Sequence, residues 1–427
     1  MKLQIVIPAY NEQEGIEHTI RRSLEAREFI VANSPVTEVA VTVVSDGSTD
    51  RTVELARPFV GQIRLLVFDR NRGYGAAIQE GWNQSDADLL GFLDADGTCD
   101  PRFFSDLCRA LEAQKADVVL GSRLNPESRM PAVRRIGNRF FAALLSGFSG
   151  VSVRDAASGM RVVRRKSLPG LLPLPDGLNF TPAMTARALM RGGTKVVEVD
   201  MSYSERRGVS KLSVAKDGVR FLKSIVDMIF LYQPWRPLFI SAVLLFAVAI
   251  GLMLTPVSSY IEKRSVEEWM IYRFIISHLA GTGALLMLST AYVTNRIAQI
   301  ALRGKGRQGA MTRALSKPVF AFIPLVLMGA GIALVMPGVV KLGATYEHWS
   351  RFIAMSFFVS AALVTLATWA AHYVLELLAA QLDYLRSDAA KSFGEARSST
   401  SGPSVVTSDM ETFLDDSSGT SHAHGPG

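Results

Sequence analysis

Two carboxylates one residue apart, Asp94 and Asp96, stand where an apolar run over 90–93 gives way to Gly97. The run is typical of a buried strand, and in an extended segment residues i and i+2 point to the same side. Asp94 and Asp96 are therefore predicted to face one pocket. Their charges repel unless a cation lies between them, and hard carboxylate oxygens suit Mg²⁺ or Mn²⁺, which keep positions open for phosphate oxygens. The motif indicates a metal site for a nucleoside diphosphate, although Asp and Gly are also common in solvated turns.

Polar residues also follow the other predicted strands, at positions where open α/β sheets bind ligands. A short apolar strand over 3–8 leads into Ala9-Tyr10-Asn11-Glu12, and a second strand over 39–44 ends in Ser45-Asp46-Gly47. Further strands are predicted over 63–68, 90–93, 117–120 and 196–203, with helices ending near 84 and spanning about 101–116 and 179–190. Strands that alternate with helices predict an α/β fold, with a mostly parallel sheet and helices on both faces.

Composition and spacing exclude several other classes of protein. Gly73 and Gly75 do not form a dinucleotide-binding fingerprint, because its third glycine would fall at Ile78. The net charge of +7 comes without an aromatic-interleaved basic platform or finger spacing, so nucleic acid is not an expected partner. Two cysteines, Cys99 and Cys108, suggest neither a disulfide framework nor a zinc site. The N-terminus enters a strand pattern without a signal peptide, so the first domain is expected in the reducing cytoplasm.

Two segments, about 130–148 and 213–232, combine basic and apolar residues in a pattern typical of helices that lie at a membrane surface. An ordinary core helix with a basic outer face is the alternative for the first segment. The first carries Arg134, Arg135 and Arg139 among Ile136, Phe140, Phe141, Leu144 and Leu145, and the second carries Lys216, Arg220 and Lys223 among Val219, Phe221, Leu222, Ile225 and Val226.

Apolar residues concentrate after residue 237, in four spans of about 238–257, 272–294, 318–339 and 352–377. Each span is long enough to cross ~30 Å of hydrocarbon as a helix. The predicted organisation is a first domain over 1–237, a membrane domain over 238–378 and a tail over 379–427. The tail is predicted to be disordered, because it is rich in Ser, Thr, Gly and Asp and lacks apolar periodicity.

The basic residues predict which side of the membrane each part occupies. The segment 296–317, between the second and third spans, holds six basic residues and no acidic one. The positive-inside rule places such a segment in the cytoplasm. With four spans, the first domain and the C-terminal tail then also lie in the cytoplasm, and the protein is predicted to be integral to the inner (plasma) membrane.

Five motifs occur in an order that resembles the family 2 inverting glycosyltransferases, which have a GT-A (Rossmann-like) catalytic domain. The closest resemblance is to the polyprenyl-phosphate, dolichyl-phosphate-mannose-synthase-like branch, and within it to members with a C-terminal transmembrane domain. It covers about residues 1–225. The segment 204–212, read without the family, is either a phosphate-gripping loop or a solvated charged loop. The motifs are Ile7 to Glu12, Ser45 to Asp50, Asp94 to Gly97, Ser158 to Arg161 and Arg206 to Leu212.

The resemblance implies roles for individual residues. Asp94 would face the ribose and the metal, and Asp96 would be the main protein ligand of the divalent ion. Arg206 and Lys211 would clamp the pyrophosphate and the acceptor phosphate. Related loops often place arginine three residues before the glycine, where this chain has Glu205 followed by Arg206 and Arg207, so the clamp is either Arg206 or Arg207. The nucleotide-binding residues would be Pro8, Ala9, Tyr10, Glu12, Asp46, Asp94, Ala95 and Asp96, and the catalytic residues Asp94, Asp96, Arg123, Arg206 and Lys211.

The implied activity is inverting transfer of one sugar from a UDP- or GDP-hexose to a polyprenyl phosphate at the cytoplasmic membrane face. It implies Mg²⁺ or Mn²⁺ as cofactor, membrane lipid as surroundings, and allows a homo-oligomer. An acceptor phosphate is already ionised near neutral pH, so no general base is needed. The alternatives are a processive polysaccharide synthase, whose Gln-x-x-Arg-Trp motif is missing, and a catalytically silent scaffold or lipid-sugar translocase, for which the spans hold few ionisable residues.

Overall fold

The computed structural model describes residues 1–125, 130–204, 206, 213–303, 310–340 and 348–399. Residue contacts divide the chain into two compact units, Met1–Leu375 and Glu376–Gly427. The first unit holds the sheet, its covering helices and most of the apolar helices. The described part of the second unit is helical backbone that ends at Ser399.

A seven-stranded sheet forms the centre of the first unit, in the order β3-β2-β1-β4-β6-β5-β7. β1 pairs in parallel with β2 and β4, β2 with β3, and β5 with β7, while β6 runs antiparallel between β4 and β5. The predicted mostly parallel sheet is confirmed. The strands are β1 Lys2–Ala9, β2 Glu38–Ser45, β3 Arg64–Val67, β4 Leu89–Leu93, β5 Val118–Ser122, β6 Met160–Arg164 and β7 Val196–Asp200.

The antiparallel strand β6 was not expected from the sequence. It starts directly after Gly159 and carries Arg161 and Arg164, so its five residues lack both a clean apolar run and a clean alternation. Its position in the sheet is nevertheless defined by its pairing with β4, in which Leu93 pairs with Met160 and Leu89 with Arg164. The Ser158-to-Arg161 motif therefore lies beside the end of β4.

Twelve α-helices occur in the described residues, and seven of them precede the apolar spans. The predicted helix that ends near 84 corresponds to α3. The predicted helices near 101–116, 130–148, 179–190 and 213–232 correspond to α4, α5, α6 and α7. The helices are α1 Ile16–Asn33, α2 Thr52–Ala56, α3 Tyr74–Asn83, α4 Phe104–Ala113, α5 Ala132–Ser149, α6 Phe180–Met190, α7 Val214–Tyr232, α8 Trp235–Lys263, α9 Ile271–Arg303, α10 Ala310–Leu315, α11 Ile323–Val340 and α12 Trp349–Ser399.

Both faces of the sheet are buried, as expected where successive strand residues point to opposite sides. In β4, Leu89 and Leu93 join the core that includes residues of α1 and α4. Leu90 and Phe92 join the opposite core, which includes residues of α3, α5, α6 and α7. The sheet is therefore held rigidly between two helical layers, which suits a site built on strand ends.

Helices α5 and α7 pack against the second core with one face and expose apolar side chains on another. Along α5, Asn138, Ala142 and Leu145 are buried, whereas Val133, Ile136 and Phe140 are exposed. Along α7, Val219, Leu222 and Phe230 are exposed, while Ile225 and Ile229 are buried. The inner faces of both helices thus belong to the core, and the outer faces carry apolar groups that water does not favour.

In the described part of the chain, four helices are long and apolar enough to cross a membrane, which confirms the four predicted spans. They cover Trp235–Lys263, Glu268–Leu302, Pro318–Met336 and Trp349–Leu385. The basic segment used for the topology is more helical than expected, because α9 continues through Arg303 and α10 occupies Ala310–Leu315. Residues 304–309 of that segment lie outside the described residues.

The C-terminal tail differs from its prediction over its first part. Helix α12 extends to Ser399, about twenty residues past the predicted start of disorder at 379. The segment 379–399 holds five alanines, two leucines and two arginines, and these residues favour helix even without an apolar stripe. The remainder of the predicted disordered tail, 400–427, lies outside the described residues.

Candidate active site

A cleft of about 560 Å³ opens where the carboxyl ends of β1, β2 and β4 meet. Residues of α5 and α7 also line it, among them Val133, Asn138 and Phe221. Nearly all of the residues singled out in the sequence line this one cleft, although they are spread over almost 200 positions. They are Pro8, Ala9, Tyr10, Glu12, Asp46, Asp94, Ala95, Asp96, Arg123 and Arg206. Lys211 and Arg207 lie outside the described residues.

Asp94 is held at the end of β4 by one strong hydrogen bond. The hydroxyl of Tyr74, the first residue of α3, donates to Asp94 Oδ1 at 2.6 Å. Burial and the neighbouring charge of Asp96 raise the pKa of Asp94 to about 7. A carboxylate in such a place is stabilised by any cation that comes close to it.

The other oxygen of Asp94 occupies space that is free only because Gly159 has no side chain. A Cβ at residue 159 would lie 1.8 Å from Asp94 Oδ2, which is impossible without displacement of one of them. The glycine before β6 therefore creates the space in which the carboxylate sits. A residue without a side chain is therefore required directly before β6.

Replacement of Gly159 by alanine should lower the activity that the sequence resemblance implies by about tenfold or more, since misplacement of a catalytic group by about 1 Å costs up to a hundredfold. Initial rates of the purified variant check this, with circular dichroism as the test of folding. Gly147→Ala on α5 is the matched control, because a Cβ there meets nothing within 4 Å. Equal rates for the two variants would contradict the assignment of that space to Asp94.

Asp96 is more buried than Asp94 and has partners on both oxygens. Its Oδ1 accepts from the backbone N–H and the hydroxyl of Thr98, at 3.1 and 2.7 Å. Its Oδ2 lies 3.2 Å from Nη1 of Arg206, and it is 6% exposed. Thr98 thus fixes the orientation of the carboxylate, and the second oxygen faces the guanidinium of Arg206.

Arg206 brings a positive charge to the two acidic sides of the cleft. Its Nη2 donates to Glu12 Oε1 at 2.6 Å, while Nη1 contacts Asp96. Its Nε is buried and has no hydrogen-bond partner in the described part of the chain. Arg206, one of the two arginines that the sequence left open, has its guanidinium beside Asp96, and the choice between it and Arg207 stays a prediction.

The donor set fits a hard divalent cation completed by the substrate. Within the described residues, no group of three or more His, Cys, Asp or Glu side chains is placed to hold a metal. Mg²⁺ is usually bound by one or two carboxylates, with phosphate and water oxygens at its other positions. Asp94 and Asp96 supply that number of carboxylates, in a cleft large enough to accept phosphates as well.

Arg123 lines the cleft, but its guanidinium is largely occupied by Asp155. Nε donates to Asp155 Oδ2 at 2.7 Å and Nη2 to Oδ1 at 2.9 Å, and Nη2 also bonds the carbonyl of Ala157. Burial by itself would raise the pKa of Asp155, but the charge and hydrogen bonds of Arg123 lower it overall. The predicted contact of Arg123 with phosphate or sugar thus stays a prediction, and its visible partner is a buried carboxylate.

Replacement of Asp155 by alanine should lower the free energy of unfolding by about 3–5 kcal/mol, because Arg123 would be left buried without its counter-charge. Denaturant unfolding in detergent, followed by tryptophan fluorescence, measures the change. Asp200→Ala is the matched control, since its ion pair with Arg154 is about half exposed on both sides and contributes little. A loss for Asp155→Ala no larger than that for the control would contradict this assignment.

Asp46 stands at the end of β2 and supports the loop that precedes α3. Its two oxygens accept from the backbone N–H groups of Arg72, at 2.6 Å, and Gly73, at 2.9 Å. Each carboxylate oxygen has a second lone pair, so the predicted hydrogen bond from a base is compatible with these contacts. Gly47, with φ +68°, is needed in the turn that follows, where a Cβ would lie 2.4 Å from the backbone of Arg70.

Several residues of the site were not assigned a role from the sequence. Tyr74, Asp155 and Gly159 all lie in segments that are rich in glycine or close to the motifs, which was the available signal. Asn138 gave none, because it lies within a helix whose pattern drew attention to arginines and apolar residues. Its position in the cleft is decided by how α5 packs on the sheet.

The fold and the cleft together define a GT-A glycosyltransferase domain: a Rossmann-like, mostly parallel sheet with paired aspartates at the end of its fourth strand. The chain belongs to glycosyl transferase family 2, whose family model matches residues 4–172. It is 30% identical over 230 residues to the dolichyl-phosphate hexose transferase of Haloferax volcanii, which is 53% of this chain and 93% of that protein.

The chain is also similar to a second relative and to a solved structure. The low-salt glycan biosynthesis hexosyltransferase Agl6 of Haloferax volcanii is 30% identical over 228 residues, and the chain spans about half of that protein, 52% of its length. The glucosyl-3-phosphoglycerate synthase of Mycobacterium tuberculosis, solved with Mn²⁺ and UDP, is 19% identical, with a TM-score of 0.44. That likeness covers 53% of this chain and 79% of the synthase.

Proposed function

We propose that this protein transfers one hexose from a UDP- or GDP-sugar to a polyprenyl phosphate, with inversion at the anomeric carbon. The observation that carries the proposal is the composition of the cleft. Paired carboxylates and Arg206 line it together with residues of α5 and α7, two helices that expose apolar side chains elsewhere on their surfaces. A site for a charged nucleotide thus adjoins helices suited to a lipid surface.

The nucleotide part of the donor is assigned to the strand-end side of the cleft. Pro8, Ala9 and Tyr10 line that side, and Asp46 supplies a carboxylate for a base. Asp94 and Asp96 would hold Mg²⁺ or Mn²⁺, which when bound neutralises charge on the leaving diphosphate. Arg206, beside Asp96, adds a fixed positive charge that stabilises the same leaving group.

The proposed reaction needs no general base, because its acceptor is a phosphate. One of its oxygens attacks the anomeric carbon from the face opposite the diphosphate, so that a new C–O bond forms while the bond to the diphosphate oxygen breaks. The electron pair leaves with the diphosphate, and no proton is transferred because the acceptor is already ionised. The chain's contribution is in-line positioning and charge stabilisation.

The acceptor is assigned to the wall formed by α5 and α7. Arg134 and Arg220 line the cleft there, together with Val133, Phe141 and Phe221. Arginines bind phosphate, and apolar side chains suit the first part of a polyprenyl chain. The exposed apolar residues of both helices would lie at the membrane surface, continuous with the four spans.

The topology belongs to the same proposal. The basic residues Arg296, Arg303 and Arg313, at the end of α9 and in α10, indicate the cytoplasmic end of the second and third spans. With that orientation the cleft would lie on the cytoplasmic side, where nucleotide sugars are present. We propose the inner or plasma membrane as the location, with residues 1–237 as the catalytic domain and 238–378 as the membrane domain.

A donor screen tests the activity directly. The purified full chain is incubated with undecaprenyl phosphate, Mg²⁺ and one donor at a time: UDP-glucose, UDP-galactose, UDP-N-acetylglucosamine or GDP-mannose. The mass of the lipid product is then measured by mass spectrometry. The expected result is a gain of one sugar with one of these donors. A polymeric product would indicate a processive synthase, and failure with all four donors would contradict the proposal.

A further inference from the structure

Arg161, the second residue of β6, is a fully buried cation to which the proposed reaction gives no role. Its hydrogen-bond partners within the described residues are carbonyl oxygens, a hydroxyl and a thioether, all of them uncharged. Burial lowers the pKa of Arg161 to about 10, so the side chain is still charged at neutral pH. An unpaired buried charge is costly, and its hydrogen bonds are what offsets that cost.

The register of the sheet places Arg161 on the same face as Asp94. Arg161 pairs with Phe92 of β4, and its guanidinium carbon lies 5.6 Å from the centroid of that ring. Residues directly opposite each other in an antiparallel pair point to one face, and Asp94, two residues beyond Phe92, points to that face as well. The same register, continued by one residue, sets Gly159 opposite Asp94, where a Cβ would overlap the carboxylate.

The guanidinium of Arg161 holds the segment that precedes β6. Its Nη2 donates to the carbonyl of Ser158 at 2.8 Å and lies 3.5 Å from the carbonyl oxygen of Ala156. The carbonyl of Ser158 belongs to the peptide that joins it to Gly159, the residue against which Asp94 Oδ2 lies. A shift of this peptide would therefore displace the carboxylate or open a gap beside it.

The second terminal nitrogen of Arg161 ties the same segment to α6. Nη1 donates to the carbonyl of Thr181 at 3.2 Å and to the hydroxyl of Thr185 at 3.1 Å. The Thr185 hydroxyl in turn lies 2.9 Å from the carbonyl oxygen of Ala156. Thr181 and Gly159 both line the cleft, so one buried side chain connects two parts of its wall.

We infer that Arg161 is a positioning residue for Asp94: it holds the peptide between Ser158 and Gly159, and this peptide sets where the carboxylate lies. The inference rests on the proposed function, because it takes Asp94 as a ligand of the divalent ion. A guanidinium suits the task, since it presents donors in two directions within one rigid plane, whereas an ammonium is a single point of charge. Replacement of groups that orient metal ligands commonly lowers metal affinity by about 10–100-fold.

The test measures Mn²⁺ binding to the purified full chain in detergent, by electron paramagnetic resonance of the free ion and without nucleotide. Arg161→Met removes the hydrogen bonds in both directions and should weaken Mn²⁺ binding by about tenfold. Arg161→Lys can satisfy one direction only, and its affinity should lie between those of Arg161→Met and the wild type. Thr185→Val removes a single hydroxyl and should weaken binding less, which keeps the test decisive if Arg161→Met does not fold.

Arg164→Met is the matched control. Arg164 is at the other end of β6 and also donates to backbone carbonyls, those of Leu111 and Ala116, but it does not line the cleft and its partners belong to the opposite core or its helix. Its replacement should leave Mn²⁺ affinity unchanged, whatever it does to the free energy of unfolding.

Two results would overturn this inference alone. One is an Mn²⁺ affinity of the Arg161 and Thr185 variants equal to that of the control. The other is tighter binding by Arg161→Met, which is expected if Arg161 acts on the ion only through its charge. A wild type that binds no Mn²⁺ would overturn the metal site of the proposed function and this inference with it.

Discussion

Replacement of Asp96 by asparagine should lower the rate of sugar transfer by about a thousandfold, while the protein still folds and inserts. The substitution removes one charge and keeps the shape of the side chain, and an amide oxygen can still accept from Thr98. In the unsubstituted protein, Asp96 Oδ2 lies beside the guanidinium of Arg206, and Asp96 lines the same cleft as Asp94. Loss of this charge weakens the attraction for a divalent ion and so for the leaving diphosphate.

The measurement is single-turnover transfer at saturating donor, together with Mn²⁺ binding in the absence of donor. Asp100→Asn is the matched control, because Asp100 is four residues away, pairs with Arg22 and does not line the cleft. The control should retain transfer and Mn²⁺ binding. Turnover of Asp96→Asn that matched the wild type would remove Asp96 from the metal site and from the reaction.

Replacement of Arg206 by alanine should lower transfer by about a hundredfold or more, the effect of losing one preorganised charge at a developing anion. Unlike Asp96→Asn, it should not weaken the binding of Mn²⁺. Since Arg206 contacts Asp96 Oδ2 at 3.2 Å, it competes with a metal for that oxygen when no donor is present. Removal of the guanidinium should leave Mn²⁺ affinity unchanged or increase it.

The two measurements together separate a leaving-group role from a structural one. Arg22→Ala, on the partner of Asp100, is the control and should change neither transfer nor Mn²⁺ binding. An Arg206→Ala protein that transferred sugar at the normal rate would exclude Arg206 as the clamp and favour Arg207. A protein that lost Mn²⁺ affinity would show instead that Arg206 organises the carboxylates.

Much of the site could be predicted from local sequence, because the ends of buried strands can be recognised there. An apolar run that stops at a polar group marks the edge of a sheet, and parallel strands bring such edges together. Asp46 and Asp94 were found in this way, and they line one cleft although 48 positions separate them. The four apolar helices were equally readable, since a membrane span is a matter of length and composition.

Tertiary packing alone decided the rest. The antiparallel strand β6 was invisible, because its five residues are defined by their neighbours β4 and β5 and hold two arginines in a buried sheet. The pairing of Arg123 with Asp155 joins residues 32 positions apart, with helix α5 between them. Asn138 entered the cleft only because α5 packs with that face inward. Local patterns specify which groups lie at strand ends and which helices are apolar, whereas contacts between distant segments depend on how those elements meet in three dimensions.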